Sequence, residues 1–331
     1  MILAGDIGGT STRLALCELN GKNFCAVAEE KFSSAEFSSL EAIVEKFLSD
    51  KSHKIARACF GVPGPITGSI IKLANLPWTI DAEKIKHFLE IEKIGLINDL
   101  EANAYGLSEL GEGDFSVLNE GAKNPTGNAA IISAGTGLGE AGLHFEEGMD
   151  NILRPFASEG GHADFAPRND LEIELLRFLL VKFGRVSIER VVSGQGLKNI
   201  YEFLRDTKRA EEPAWLAAEI AESGDVAAVV SKNGIDGKAE ICELALEIFA
   251  SIYGAEAGNL ALKMLATGGV FLGGGIAPKV LPKLKEVAFM ESFTAKGRMR
   301  ELLEKIPVRV VLNDKAALLG AAHFAFYELE N

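Results

Sequence analysis

The chain has 331 residues, of which 34 are basic and 47 acidic, for a formal net charge of -13. At ~150 residues per domain this length makes about two domains, and 47% hydrophobic with 24% charged residues is the composition of a chain that folds. The acidic balance, with no Lys/Arg-rich tract, argues against nucleic acid as a partner, and the uncharged, glycine-rich stretch Met264 to Pro278 is shorter than the ~20 apolar residues a bilayer crossing needs.

The opening residues Met1 to Asp6 have no basic segment and meet an acid before any apolar run develops, so they do not read as a secretory signal. The expected compartment is the cytoplasm. Ile2 to Asp6 reads as a short buried strand, Arg13 to Leu19 as a second and Phe24 to Phe32 as a third, a meander rather than a βαβ start. Ser38-Ser39-Leu40-Glu41 matches a capping box ahead of a helix over Ala42 to Leu48. Ile55 to Val62 is strand-like and stops at Pro63-Gly64-Pro65, where the backbone must turn. Asp81 to Glu90 is predicted helical with Ile85, Phe88 and Leu89 on one face, and Ile94 to Ile97 is a strand that delivers Asn98-Asp99 to a helix beginning near Leu100.

An echo follows: Asn128 to Phe145 repeats the order of strand, glycine turn and second strand seen from Ile2 to Leu19. Two such halves facing each other would present two glycine turns to one cleft. Leu171 to Phe183 and Lys238 to Met264 carry a helical period, with a polar, alanine-rich helical stretch between them. Thr267 to Ile276 is a strand running into a third glycine turn, and the alanine-rich tail Ala316 to Glu330 is a helix expected to pack back on the first domain. Cys17, Cys25, Cys59 and Cys242 are scattered without a Cys-x-x-Cys pair, which fits reduced thiols and gives no zinc spacing.

Gly5-Asp6-Ile7-Gly8-Gly9-Thr10 sets residues without Cβ where backbone amides can approach an anion, with a carboxylate at the strand end and a hydroxyl just beyond. It can also be a plain hairpin loop; the carboxylate and the second copy favour phosphate binding, with Asp6 able to hold a hydrated Mg²⁺. Gly137-Leu138-Gly139-Glu140-Ala141-Gly142 fits the dinucleotide pattern G-x-G-x-x-G, with Glu159 near the place of a ribose-binding acid. That fingerprint needs a helix directly after the glycines, and Leu143 to Gly148 is too short for one and strand-like at its start, so the nicotinamide reading is rejected. Neither a Walker-type loop nor a protein-kinase His-Arg-Asp loop occurs.

Asp99, at the end of an apolar strand, can take a proton from a hydroxyl attacking phosphorus, or can equally cap the helix that starts at Leu100. Ser158 to Phe165 puts Glu159, two glycines and His162 together, a set of acceptors and donors suited to a polyol, although a solvated loop with an incidental histidine is the blander alternative. Glu189 can equally be a surface charge paired with Arg190, and Asn75 falls in a loop.

Together these segments resemble the bacterial glucokinase family, the ATP-dependent hexokinases without the zinc motif, within the actin-like sugar kinase superfamily. The resemblance runs over nearly the whole chain and rests on Gly5 to Thr10, Pro65-Ile66-Thr67-Gly68, Ile97-Asn98-Asp99, Gly135-Thr136-Gly137-Leu138-Gly139, Glu159 to Pro167, Glu189 to Gly194 and Gly269 to Ile276, in family order. It implies an α/β, two-domain actin-like ATPase (ribonuclease H-like) fold with a cleft between a smaller domain, 1–112 plus 315–331, and a larger one, 113–314. It further implies phosphorylation of glucose at the 6-hydroxyl by ATP and Mg²⁺, with Asp99 as catalytic base and Asn75, Asn98, Asp99, Glu159, His162 and Glu189 around the sugar. Gly5, Asp6, Gly8, Gly9, Thr10, Gly135, Thr136 and Gly137 then resemble the phosphate loops, and Gly273, Gly274 and Gly275 the adenosine side, with Asp6 holding Mg²⁺ through water. Homodimers are usual in the family, so a homodimer is the expected state.

Gly61 to Pro65 is richer in proline and glycine than in some members, which leaves sugar selectivity open. Ala163 to Arg168 lacks the cysteine cluster of the related zinc-bearing kinases and repressors. The competing expectations are a sugar-binding regulator without chemistry and a kinase for another sugar such as an N-acetylated hexosamine.

Overall fold

In the computed structural model, which describes residues 1–21, 23–64, 66, 68–73, 76–146, 148 and 152–329, the two runs of strand-turn-strand each seed a mixed sheet. The first sheet and its helices run through β1 (Ile2–Ile7), β2 (Ser11–Asn20), β3 (Asn23–Ser33), α1 (Leu40–Leu48), β4 (Arg57–Val62), α2 (Ala82–Phe88), β7 (Lys93–Asn98) and α3 (Asp99–Gly106), with β5 (Ile70–Lys72) and β6 (Thr79–Asp81) forming a separate two-stranded sheet between β4 and α2 in the chain. Its strand order is β3-β2-β1-β4-β7, with β1 antiparallel to β2 and parallel to β4.

Pleating sends alternate residues of β1 to opposite faces. Leu3 joins Leu14, Phe47 and Phe60 on one side, while Ile2 and Ala4 join Ala15, Cys17 and Cys59 on the other. A strand buried on both faces must be apolar throughout, which is why Ile2 to Gly5 carries no polar residue.

The second sheet runs through β8 (Phe115–Asn119), β9 (Ala129–Ala134), β10 (Leu138–Glu146), β11 (Ile152–Ser158), α4 (Asp170–Phe183), α5 (Gly194–Asp206), α6 (Ala214–Ser223), α7 (Val226–Ile235), α8 (Glu240–Met264), β12 (Gly269–Gly273), α9 (Leu281–Leu284), α10 (Val287–Thr294), α11 (Arg300–Glu304) and β13 (Val308–Val311). Its order is β11-β10-β9-β12-β13-β8. The meander β9-β10-β11 followed by parallel β12 repeats the arrangement of β1-β2-β3 followed by parallel β4. The core of this part centres on α8, whose Phe249 and Tyr253 are buried with Ile132, Leu175 and Tyr201.

The chain ends on α12 (Ala316–Tyr327), which returns to the first sheet and packs Ala317, Leu318 and Ala321 against Ile2, Ala4 and Ile97. Two compact units result: Met1–Glu112 with Asn313–Asn331, and Gly113–Leu312. Among the described residues no helix is long and apolar enough to cross a membrane. All four cysteines are free, and only Cys25 is not fully buried.

Three local expectations need correction. The cap of α1 is Ser39, whose Oγ accepts from the Ala42 amide at 3.3 Å, one residue later than the Ser38 capping box. In α2 Ile85 is buried but Phe88 is 45% exposed, because the helix stops there after barely two turns. The β5-β6 hairpin escaped the sequence reading because three-residue strands are too short to show a period.

Candidate functional site

In the smaller unit the first glycine turn joins β1 to β2. The Gly8 amide donates to Ser11 O at 2.9 Å and Ser34 Oγ donates to Gly8 O at 2.8 Å, so the turn is tied to the end of β3. Gly8, Gly9 and Thr10 reach the surface. Gly5 does not: it is sealed within β1, and a Cβ there would collide with the Phe60 ring. Packing, not ligand approach, explains that glycine, which corrects its assignment to the phosphate loop.

Asp6 pairs in register with Arg13 on β2. Burial raises its carboxyl above the usual carboxylate range, opposed by Arg13 and Lys31. The Arg13 guanidinium is itself engaged, donating to Asp314 Oδ2 at 2.7 Å and to Asp314 O at 3.1 Å. A desolvated carboxylate at the edge of an amide-rich turn suits a cation that brings its own water, so the residues present fit a hydrated Mg²⁺.

Parallel β7 ends on Asn98, and α3 starts at Asp99. The cap of α3 is Asn98, not Asp99: Asn98 Oδ1 accepts from the Leu100 and Glu101 amides at 2.9 and 3.3 Å, and its Nδ2 donates to Gly64 O at 3.0 Å. Asp99 occupies the first helical position, half-buried, with Oδ1 also accepting from the Leu100 amide at 2.8 Å. The positive end of a helix favours negative charge there. Asn75 lies outside the described residues, as do Pro65 and Thr67.

In the larger unit the second glycine turn joins β9 to β10. The Gly135 amide donates to Gly137 O at 2.8 Å, and Gly135 O accepts from the Gly194 amide at 2.9 Å, which ties the turn to the start of α5. Glu189 belongs to this cluster: its Oε2 accepts from the Leu138 amide at 3.0 Å, and a Cβ at Gly137 would strike it. Its proposed partner Arg190 lies instead over the Phe183 ring, 4.4 Å from the centroid. Glu159 and His162 sit exposed on the short turn after β11, where the Arg185 guanidinium donates to His162 O and to Asp164 Oδ1. Gly139 and Gly142 lie inside β10, with no helix after them, so the nicotinamide reading fails on structure as on sequence.

The third turn follows β12. Gly273 is buried, and a Cβ there would meet Ser133 Oγ, so it serves packing like Gly5. Gly274 takes a positive φ of 79°, a conformation that favours glycine, and Gly275 reaches the surface. Gly135, Thr136 and Gly275 line a cavity of about 1080 Å³ together with the N-terminal turns of α5 and α7, Lys198 and Lys279. Backbone amides, the starts of two helices and three lysines, Lys198, Lys232 and Lys279, around one space that also holds Asp225 make a setting for phosphate groups.

Sequence reasoning missed Ser193 as the cap of α5, Lys198 and Lys279. The Ser193-Gly194-Gln195-Gly196 run, whose Ser193 Oγ accepts from the Gly196 amide at 2.9 Å, carried a helix-start signal. The lysines carried none, since nothing local says that α5, α7 and the third turn converge.

A family model described as Glucokinase matches residues 3–327. A glucokinase from Nostoc sp. is 45% identical over 338 aligned positions, covering 97% of this chain and 98% of the relative, and one from Synechocystis sp. is 42% identical, covering 97% and 96%. The crystal structure of a glucokinase from an Antarctic psychrotroph is 34% identical, with a TM-score of 0.84 over 98% of both chains. A ROK family glucokinase from Streptomyces griseus, solved in complex with glucose and AMPPNP, is 20% identical with a TM-score of 0.65 over 98% of both chains, a likeness of fold.

Proposed function

The chain belongs to the glucokinase family, and on that premise we propose that it transfers the γ-phosphoryl group of ATP to the 6-hydroxyl of glucose, giving glucose 6-phosphate and ADP. The observation that carries the mechanism is Asp99. Asn98 takes the cap of α3, and the Asp99 carboxylate, whose Oδ1 also accepts from the Leu100 amide, stands at a strand end in the field of the helix N-terminus. It takes the proton of the 6-hydroxyl as that oxygen forms its bond to phosphorus and the bond to the ADP oxygen breaks.

Asn98 keeps one side-chain N–H beyond the one given to Gly64 O, a donor for a sugar hydroxyl, while Glu189 keeps Oε1 as an acceptor. Glu159, His162 and Asn75 complete the proposed sugar set. Gly8, Gly9 and Thr10 from the first turn, and Gly135, Thr136, Gly137, Gly274 and Gly275 from the others, hold the nucleotide by main-chain amides. Asp6 would hold Mg²⁺ through water, and the ion would supply charge neutralisation at the phosphates. The compartment proposed is the cytoplasm and the assembly a homodimer, which sedimentation at assay concentration measures.

A coupled assay with ATP against glucose, mannose, fructose and N-acetylglucosamine tests the reading. The expected outcome is turnover with the highest kcat/KM for glucose. Preference for another hexose moves the substrate, and absence of turnover on all four removes the activity and leaves a binding protein.

A further inference from the structure

The larger unit holds a carboxylate that the mechanism does not use. Glu140, the third residue of β10, is 1% exposed, and its Oε1 has no hydrogen-bond partner among the described residues. It lies opposite Ser158 on β11 and Ile132 on β9, so its side chain rises at the very end of the β10-β11 ladder, where the Glu159–His162 turn begins. Gly160 rests directly on it: a Cβ at that position would collide with Oε2 and stand 2.8 Å from Cδ. Gly161 rests in the same way on Leu138 O, and the Leu138 amide is the one that Glu189 accepts from. Residues 138–140 are therefore the floor beneath three of the proposed sugar ligands.

The groups around this carboxyl do not neutralise it. From α8, Glu256 and Lys263 act on it electrostatically, but Lys263 is paired with Glu256 at 3.2 Å, and the other Glu256 oxygen accepts from Asn259 at 2.8 Å. Tyr253, also on α8, donates its hydroxyl to Ile132 O. The residues opposite on β9 and β11, Ile132 and Ser158, carry no charge, and Glu159 and His162 of the turn are exposed. Burial and Glu256 push the Glu140 carboxyl up to about 7, against Lys263.

We propose that Glu140 is a positioning residue for the sugar: in its neutral form it lets Gly160 seat against it and so fixes Glu159 and His162, and its ionisation lifts the turn and weakens glucose binding. The physical reason is that a buried charge without a partner is unfavourable, a cost relieved by admitting water, and the turn carrying Gly160 lies directly against the carboxyl. The sign follows from linkage. The raised carboxyl keeps its proton in the seated form, so the seated turn is favoured at low pH and lost as pH rises through about 7. Reciprocally, glucose holding the turn down makes Glu140 take up a proton.

The inference rests on the sugar assignment above, and its test separates the two. KM for glucose is measured at saturating ATP across the neutral range for the parent and Glu140→Gln, whose amide stays uncharged. Expected is a rise in the parent of roughly three- to tenfold between about pH 6 and about pH 8, one linked proton allowing at most about tenfold per pH unit, with the effect on KM rather than kcat. In Glu140→Gln that rise should be absent. An unchanged rise in the variant, or none in the parent, overturns the role of Glu140, whereas no glucose turnover at any pH overturns the substrate. Calorimetric titration of the parent with glucose near pH 7, in two buffers of different ionisation enthalpy, gives a readout that needs no variant: net proton uptake is expected, and its absence overturns the proposal.

Discussion

Asp99 and Asn98 divide between them two tasks that a single aspartate at a strand-helix junction could have combined. The asparagine, neutral and able to donate as well as accept, satisfies the first free amides of α3 and anchors Gly64 O. The charged group one position later also accepts from the Leu100 amide and carries the proposed chemistry. Asp99→Asn should preserve the fold and hold KM for glucose within a few-fold, while kcat falls by roughly 10²- to 10⁴-fold, the usual worth of a positioned general base. Steady-state kinetics beside a thermal melt checks this, and an unchanged kcat would remove Asp99 as base. The sequence leaves Asp99 open between base and helix cap; the structure gives the cap to Asn98, whose Oδ1 accepts from the Leu100 and Glu101 amides, while Asp99 Oδ1 accepts from the Leu100 amide alone.

At the scale of elements, the placement of Asp99 depends on α3, and α3 depends on α12 from the far end of the chain. The two helices approach so closely that a Cβ at Gly320 would collide with Ala102 O, and one at Gly106 with Ala316 O. Gly320→Ala should therefore push α3 outward or unseat α12, costing about 1–3 kcal/mol by overpacking. A lower melting temperature together with a reduced kcat is expected, and a variant that melts with the parent would refute the contact's importance. The glycine turns illustrate the other side of this scale. The resemblance assigns Gly5 and Gly273 to the nucleotide, yet both are buried in strands, where Phe60 and Ser133 occupy the space of the missing Cβ. Sequence alone offers no way to separate a glycine that admits a ligand from one that admits a neighbouring side chain.

At the scale of the whole molecule, the chain adopts the actin-like ATPase fold of its family, with the smaller unit closed by residues from both ends. α12 covers Ile2, Ala4, Cys17 and Cys59 on one face of the first sheet. Deleting residues 313–331 should expose that apolar face and leave the smaller unit unable to fold, while the larger unit keeps its own core. Loss of glucose turnover with retention of substantial helical circular dichroism is expected; a truncated chain of parental activity would contradict it. Periodicity, turn chemistry and motif order, written within a few neighbouring residues, carry the class of the fold, the repeated strand-turn-strand order and the family. The packing of distant elements decided which glycines face outward, that Lys198 and Lys279 share a cavity with the second turn, and that Glu140 is buried beneath Gly160. Burial and desolvation sum over elements far apart in the chain, and no local pattern encodes that sum.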